Sequence, residues 1–266
     1  NNKKRLDKSV ALYRRSQLST AQDFFFVRFL TYEGHLTLSW PFSEIDRVSV
    51  TGGYRHQNTI ILSDSPISLP IPNQSVDHVI LKASYVFDNT RKKGLNLYNG
   101  TRFKIFTEYY RNMDLVKTGM HTAGIDFRTY MPVARNIIWA NRFAMGTSFG
   151  QEKLVYFLGG VDNQISAKFN DHIPVDETQN YIFQTLATNM RGFRQNIRNG
   201  NSFAVINSEL RIPLFKVLMN KPIKSDFISN FQVIGFGDIG TAWNGLHPYS
   251  DDNSFNKKVI GGDNPS

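Results

Sequence analysis

Cysteine is absent from the 266 residues, which excludes a disulfide framework and any thiolate metal site and leaves the redox compartment open. Also missing is a run of about 20 apolar residues, the length a spanning helix needs. The nearest approach, DFFFVRFL at 23–30, is interrupted by an arginine, so helical membrane insertion is excluded. The opening NNKKRLDKSVALYRR is charged and has no apolar core segment, so it does not read as a signal peptide. We expect the sequence to be cut from a longer chain. The six histidines, His35, His56, His78, His121, His172 and His247, are scattered, with no H-E-x-x-H and no i,i+4 ligand pair. No catalytic residue, metal site or cofactor is expected from that distribution, and we do not expect an enzyme.

Acidic residues are the scarcer charge. The 31 Lys and Arg outnumber 22 Asp and Glu, for a net charge of +9. This excess favours polyanions: nucleic acid, anionic lipid or the phosphates of lipopolysaccharide. Charge alone does not choose among them. Aromatic residues make up 13% of the chain, with 21 Phe and 11 Tyr, against a charged fraction of only 20%. That balance suits a protein with apolar surface outside as well as inside.

What is present is period two. In 46–57, Val48, Val50, Gly52, Tyr54 and His56 share one side while Arg47, Ser49, Thr51, Gly53, Arg55 and Gln57 share the other. Leu36, Leu38, Trp40 and Phe42 oppose His35, Thr37 and Ser39. Phe103, Ile105, Thr107 and Tyr109 oppose Arg102, Lys104 and Glu108. Ala123, Ile125, Phe127 and Met131 oppose Asp126, Arg128 and Tyr130, and Ile137, Trp139, Phe143 and Met145 oppose Arg142, Ala144 and Gly146. About nine such segments succeed one another, at 4–15, 25–42, 46–62, 78–88, 101–113, 118–131, 135–150, 202–214 and 227–243. No convincing amphipathic helix lies between them.

The connections differ in kind. WPFSEIDR, MPVARN and IPLFKVLMNKPIKSDF are proline-containing turns, whereas LSDSPISLPIPNQSVDH and the whole of 151–201 are long polar loops at the other strand ends. Short turns on one rim and long loops on the other, with strands of at least about 9–11 residues, describe a transmembrane antiparallel β-barrel of the outer-membrane type. The predicted class is therefore all-β, one barrel domain over 1–266 with a long extracellular loop at 151–201. Trp40, Phe42, Tyr130 and Trp243, near strand ends, are candidates for interfacial aromatic girdles. A soluble β-sandwich shows the same alternation, but here the charged residues share a face with small ones, as a wet lumen would require.

Several motifs invite other chemistry. GFGDIG at 235–240 fits the dinucleotide fingerprint, which needs a helix to open at its third glycine so that the helix N-terminus meets the pyrophosphate. The next residues, TAWNGLHPYSDD, read as a turn instead. GTSFG at 146–150 fits the nucleophile elbow, yet its serine ends an alternating strand with no helix behind it. YSDDNSF at 249–255 lacks the glycine and terminal glutamate of a calcium loop. NMRGFRQNIRNG at 189–200 places Phe193 beside Arg191 and Arg194, as a nucleic-acid site would, but the other arginines sit singly on strands and no recognition fold accompanies them. Nucleic acid is not an expected partner.

The order of features carries a resemblance. A strand ends in SFG, then come YFLGG (156–160), a long loop, MRGF (190–193), NSELRIPL (207–214) and GFGDIGTAW (235–243). This order resembles the C-terminal barrel of the bacterial surface antigen superfamily, the outer-membrane assembly and translocation barrels typified by the insertase of the BAM complex. It is most similar to the subset that carries a TolB-like propeller upstream. The family has a V-R-G-[FY] motif on an extracellular loop that folds back into the lumen. Met190 stands at the valine position, and Arg191, Gly192 and Phe193 match. YVFDNTRKKGLNLYNGTRF at 85–103 also resembles a family turn, without its proline and with Arg91 shifted.

The resemblance implies that Arg191 makes ionic contacts with acidic residues on the two strands after the loop, Glu209 and Asp238, with Gly192 supplying the turn and Phe193 the packing. Strand phasing separately puts Asn207, Glu209 and Arg211 opposite Ile206, Leu210 and Ile212, and Asp238 opposite Val233 and Ile239, so both carboxylates face inward. In the same phasing Phe227 and Phe231 face lipid on the last strand. Arg194 and Arg198 are expected to be solvated loop charges.

The resemblance further implies an outer-membrane location, contact with outer-membrane lipid and lipopolysaccharide, and client outer-membrane proteins or envelope-complex subunits as partners. A scaffold or passive channel is the alternative. The family barrel has about sixteen strands, of which these nine would be a part, because an open sheet leaves two unpaired edges in lipid. Further strands are expected beyond both ends of this sequence.

Overall fold

In the computed structural model the described residues are 6–21, 25–62, 74–114, 118–134, 136–161, 168–170, 172–176, 178–219, 223–245 and 247–249. The loop residues 63–73 and most of the acidic stretch 249–255 lie outside them.

Strands dominate. In chain order they are β1 (Asp7–Ala21), β2 (Phe25–Pro41), β3 (Asp46–Leu62), β4 (Gln74–Asp88), β5 (Arg91–Gly94), β6 (Leu97–Asn112), β7 (Gly119–Ala134), β8 (Ile137–Gly150), β9 (Lys153–Leu158), β10 (Tyr181–Leu186), β11 (Arg198–Gly200), β12 (Ser202–Ile212) and β13 (Val233–Trp243). Two five-residue helices, α1 (Leu214–Leu218) and α2 (Asp226–Asn230), lie between β12 and β13. Nine strands stand side by side in the order β1-β2-β3-β4-β6-β7-β8-β12-β13, with β5 added to β6. Every pair along this path is antiparallel, as in the unbroken β2–β3 register from Phe26 opposite Leu62 to Pro41 opposite Arg47. The fold is an all-β barrel wall, not closed among the described residues.

The two faces differ as the alternation requires. Outward side chains are apolar and bare: Val10 is 73% exposed, Leu12 82% and Ile239 74%. Inward side chains are polar and paired across strands. The Thr37 and Thr51 hydroxyls meet at 2.8 Å, as do those of Ser39 and Ser49, and Arg128 and Arg142 both donate to the Asp126 carboxylate. A fold driven by water would bury the first set and expose the second. Here large apolar side chains are bare on strand after strand, among them Val10, Leu12, Leu36, Val50, Leu81, Ile105 and Ile239.

Several expectations need correction. The first strand runs on to Ala21, and the last begins at Val233 rather than 227, because the chain first makes the helical turns α1 and α2. Phe227 and Phe231 accordingly sit in and just after α2, where Phe231 packs near Phe215 (5.6 Å between ring centroids) and Phe227 (6.5 Å). The girdle loses two members as well. Trp243 is only 5% exposed, and Tyr130 lies on the inner face beneath the Arg211 guanidinium, 5.7 Å from its ring centroid. Trp40 and Phe42 are exposed as expected.

The described residues of 151–201 include three strands. These strands form a sheet of their own in the order β10-β9-β11, with β10 parallel and β11 antiparallel to β9. This insert supplies the apolar core. Tyr156, Leu158 and Met190 pack on Ala144, Phe203, Val205 and Ala242 of the wall, and a second cluster joins Leu154, Ile182 and Phe183 to Ile80, Tyr110 and Met120. The wall face that the insert covers is the inner one.

Candidate functional site

The site lies where the insert meets the last two strands. A turn at Arg191 and Gly192 comes directly after an isolated bridge between Gly160 and Met190, in which Met190 N–H donates to Gly160 O at 2.8 Å and Gly160 N–H to Phe193 O at 3.1 Å. Gly192 has φ of +85° and open space around it. Glycine is needed there for its backbone, since L side chains are disfavoured in the left-handed region.

The turn aims Arg191 at two carboxylates on neighbouring strands. Its Nε and Nη2 donate to Asp238 at 2.9 and 2.7 Å, its backbone N–H donates to the same carboxylate at 2.8 Å, and its Nη1 donates to Glu209. The guanidinium lies 4.0 Å from the centroid of the Phe236 ring. Period two explains the set: Phe236 and Asp238 share a face of β13 as Asn207, Glu209 and Arg211 share a face of β12. Asn207 stands opposite Asp238 in the ladder. The Asp238 side chain is 1% exposed, against 26% for Arg191 and 19% for Glu209. Hydrogen bonding to Asp238, reinforced by Glu209, outweighs desolvation and raises the Arg191 pKa above its ordinary value, so the site holds a permanent cation.

The structure thus brings Arg191, Glu209 and Asp238 together in one contact. Met190, 6% exposed, does the packing that was expected of Phe193, which is 45% exposed. The reason is direction: the bridge to Gly160 turns Met190 toward the wall. Gly240 makes room for it, because a Cβ there would stand 2.8 Å from Val205 Cγ2 and 3.3 Å from Met190 Sδ. The fingerprint glycines therefore lie inside β13, where no helix opens. Ser148 of GTSFG is fully buried and accepts from Leu154 N–H at 2.9 Å. Arg194 is exposed, but Arg198 is half-buried in β11, not a solvated loop charge.

Sequence reasoning missed a second attachment of the insert. Phe183 on β10 packs against the Arg55 guanidinium, 3.8 Å from its ring centroid, and near the rings of His78 and Tyr110 at 5.3 and 5.8 Å. Beside it, buried Glu152 faces His78 Nε2 at 3.4 Å and accepts from Asn112 Nδ2 at 3.1 Å and from the Thr118 hydroxyl. No spacing rule links β10 to β3, β4 and β6, so nothing short of the fold could pair them. Arg211 was more accessible: two residues after Glu209 on one strand, it shares its face.

No family model matches the chain, and no curated protein matches it. Among solved structures, BamA from Haemophilus ducreyi lacking POTRA domains 1-3 is similar, with a TM-score of 0.58 and 14% sequence identity. The match covers 90% of this chain and 47% of that one, so this chain spans about half its length. At that identity the likeness is one of fold, and the fold it supports is a BamA-like all-β barrel.

Proposed function

We propose that the chain is part of an outer-membrane β-barrel of the kind that assembles, inserts or translocates outer-membrane proteins, its lumen occupied by the 151–201 insert. One observation carries the reading: the tip of the insert is fastened to two successive wall strands by a single arginine that divides its donors between Asp238 and Glu209. The outward apolar face supports contact with outer-membrane lipid, and the excess of basic residues suits the phosphates of lipopolysaccharide. The role is non-enzymatic. Client strands are the partners, and the lock sets how readily the lumen contents move while a client is handled.

The test uses the full-length protein in liposomes. An unfolded eight-stranded outer-membrane client is added, and its acquisition of a heat-modifiable band is timed. Faster folding than in empty liposomes supports the assembly reading, with Arg191→Ala changing that rate. Equal rates in both liposomes would assign the barrel instead to a scaffold or passive channel of an envelope complex.

A further inference from the structure

Glu209 is shared between two arginines. Its Oε1 accepts from Arg191, while its Oε2 accepts from Arg211 Nε and Nη2 at 2.8 and 2.6 Å. Arg211 then continues away from the insert. Its Nη1 donates to the Asn96 backbone carbonyl at 2.7 Å and lies 3.3 Å from Asn96 Oδ1. Asn96 is at the tip of the β5–β6 hairpin, on the turn side of the sheet, with φ of +55°. β7 and β8 separate β6 from β12 in the sheet, so the tip reaches across three strand spacings, about 14 Å.

That hairpin is seated rather than loose. Gln232 donates its Nε2 to the Leu95 carbonyl, Leu97 is 4% exposed, and a Cβ on Gly94 would lie 3.9 Å from Lys216 Nζ of α1. Gln232 and Lys216 both belong to the connection between β12 and β13. A continuous polar chain therefore runs from Asp238 through Arg191, Glu209 and Arg211 to the hairpin tip. A cavity of about 260 Å³ flanks it, lined by Arg128, Tyr130, Arg142, Arg191, Glu209 and Arg211, which leaves these side chains room to exchange partners.

We propose that Arg211 is a positioning residue that couples the insert on the loop side to the hairpin on the turn side, so that release of one loosens the other. The physical reason is the division of Glu209. With both arginines present, its two oxygens are held in one orientation. When Arg191 leaves, both oxygens turn to Arg211 and draw its guanidinium off the Asn96 carbonyl; when Arg211 leaves, they turn to Arg191 and draw it off Asp238. The proposal rests on the reading of the sheet as a membrane-spanning barrel, but its readout is chemical accessibility and needs no client. A failed insertion assay and a failed coupling assay are therefore distinguishable.

These 266 residues hold no cysteine, so a single reporter is clean once any cysteine elsewhere in the full-length protein is replaced by serine. Leu95→Cys, at a position 57% exposed, reports the hairpin, and Thr185→Cys, at an exposed position on β10, reports the insert. Each is placed in the full-length protein in liposomes, and its labelling rate with a water-soluble maleimide is measured. Coupling predicts that Arg191→Ala speeds labelling at position 95 by at least about fivefold, although Arg191 does not touch the hairpin. It also predicts that Arg211→Gln speeds labelling at both positions, with Arg211→Lys falling between, while heat-modifiability of the wall is unchanged. Unchanged labelling at position 95 in Arg191→Ala would overturn the proposal. That arm leaves Arg211 intact, so a folding defect of the Arg211 variants does not affect it.

Discussion

Replacing Arg191 with alanine is the most informative perturbation, because its cost is set by the partners left behind. Asp238, 1% exposed, would lose two of the three Arg191 hydrogen bonds and its only ion-pair partner among the described residues, keeping the residue-191 backbone N–H. Removing one side of a buried pair typically costs about 3–5 kcal/mol. Loss of the guanidinium from the Phe236 ring adds about 0.5–1 kcal/mol. Two features reduce the total. Glu209 keeps Arg211, and the 26% exposure of the Arg191 side chain lets water reach the vacated space. We expect a net loss of about 3 kcal/mol, or more than about a hundredfold in the docking equilibrium of the insert.

The assay is limited proteolysis of the full-length protein in liposomes, reading cleavage within 151–201, with urea-dependent heat-modifiability as a control for the wall. A double-mutant cycle with Asp238→Asn supplies the sharper criterion. Removing the stranded charge should make the double variant less impaired than the sum of the two single ones. Protection of Arg191→Ala within twofold of the parent would refute the reasoning, as would strict additivity in the cycle.

Other positions test separate parts of the account. Gly192→Val should destabilise the turn by about 1–2 kcal/mol through backbone strain alone, because open space surrounds the residue and φ is +85°; the same proteolysis assay should show faster cleavage near 192. Gly240→Val should cost about 1–3 kcal/mol by crowding Val205 and Met190, seen as a lower urea midpoint together with increased cleavage of the insert. Phe183→Ala should release the β10 side of the insert by about 1–3 kcal/mol, less than full burial would imply because the ring is only half-buried, read as faster labelling of Thr185→Cys. Phe193→Ser, at an exposed position, should change the proteolysis rate by no more than a shift of about 0.5 kcal/mol allows.

Much of the wall was legible because strand alternation is local. Val48, Val50 and Tyr54 could be placed opposite Ser49, Thr51 and Arg55 from neighbouring residues alone, and the nine wall strands obey the same rule. Local rules also put Glu209 and Asp238 on the inner face. They failed where a residue's direction depended on something distant in sequence. Phe227 and Phe231 continue an apolar pattern toward β13, yet the chain turns helical first. Trp243 ends a strand as a girdle residue would, yet it is buried.

The sequence by itself therefore determined the all-β class, the two-faced strands and the inward carboxylates, since each depends on a period within a few residues, while the turn at Gly192 came from the resemblance. Only the tertiary structure decided that β9, β10 and β11 form a three-stranded sheet, that Met190 rather than Phe193 packs against the wall, that Phe183 seats on Arg55, and that Arg211 reaches Asn96. Those outcomes join segments far apart in sequence, and no local periodicity encodes which inward side chain meets which across the inner face of the sheet.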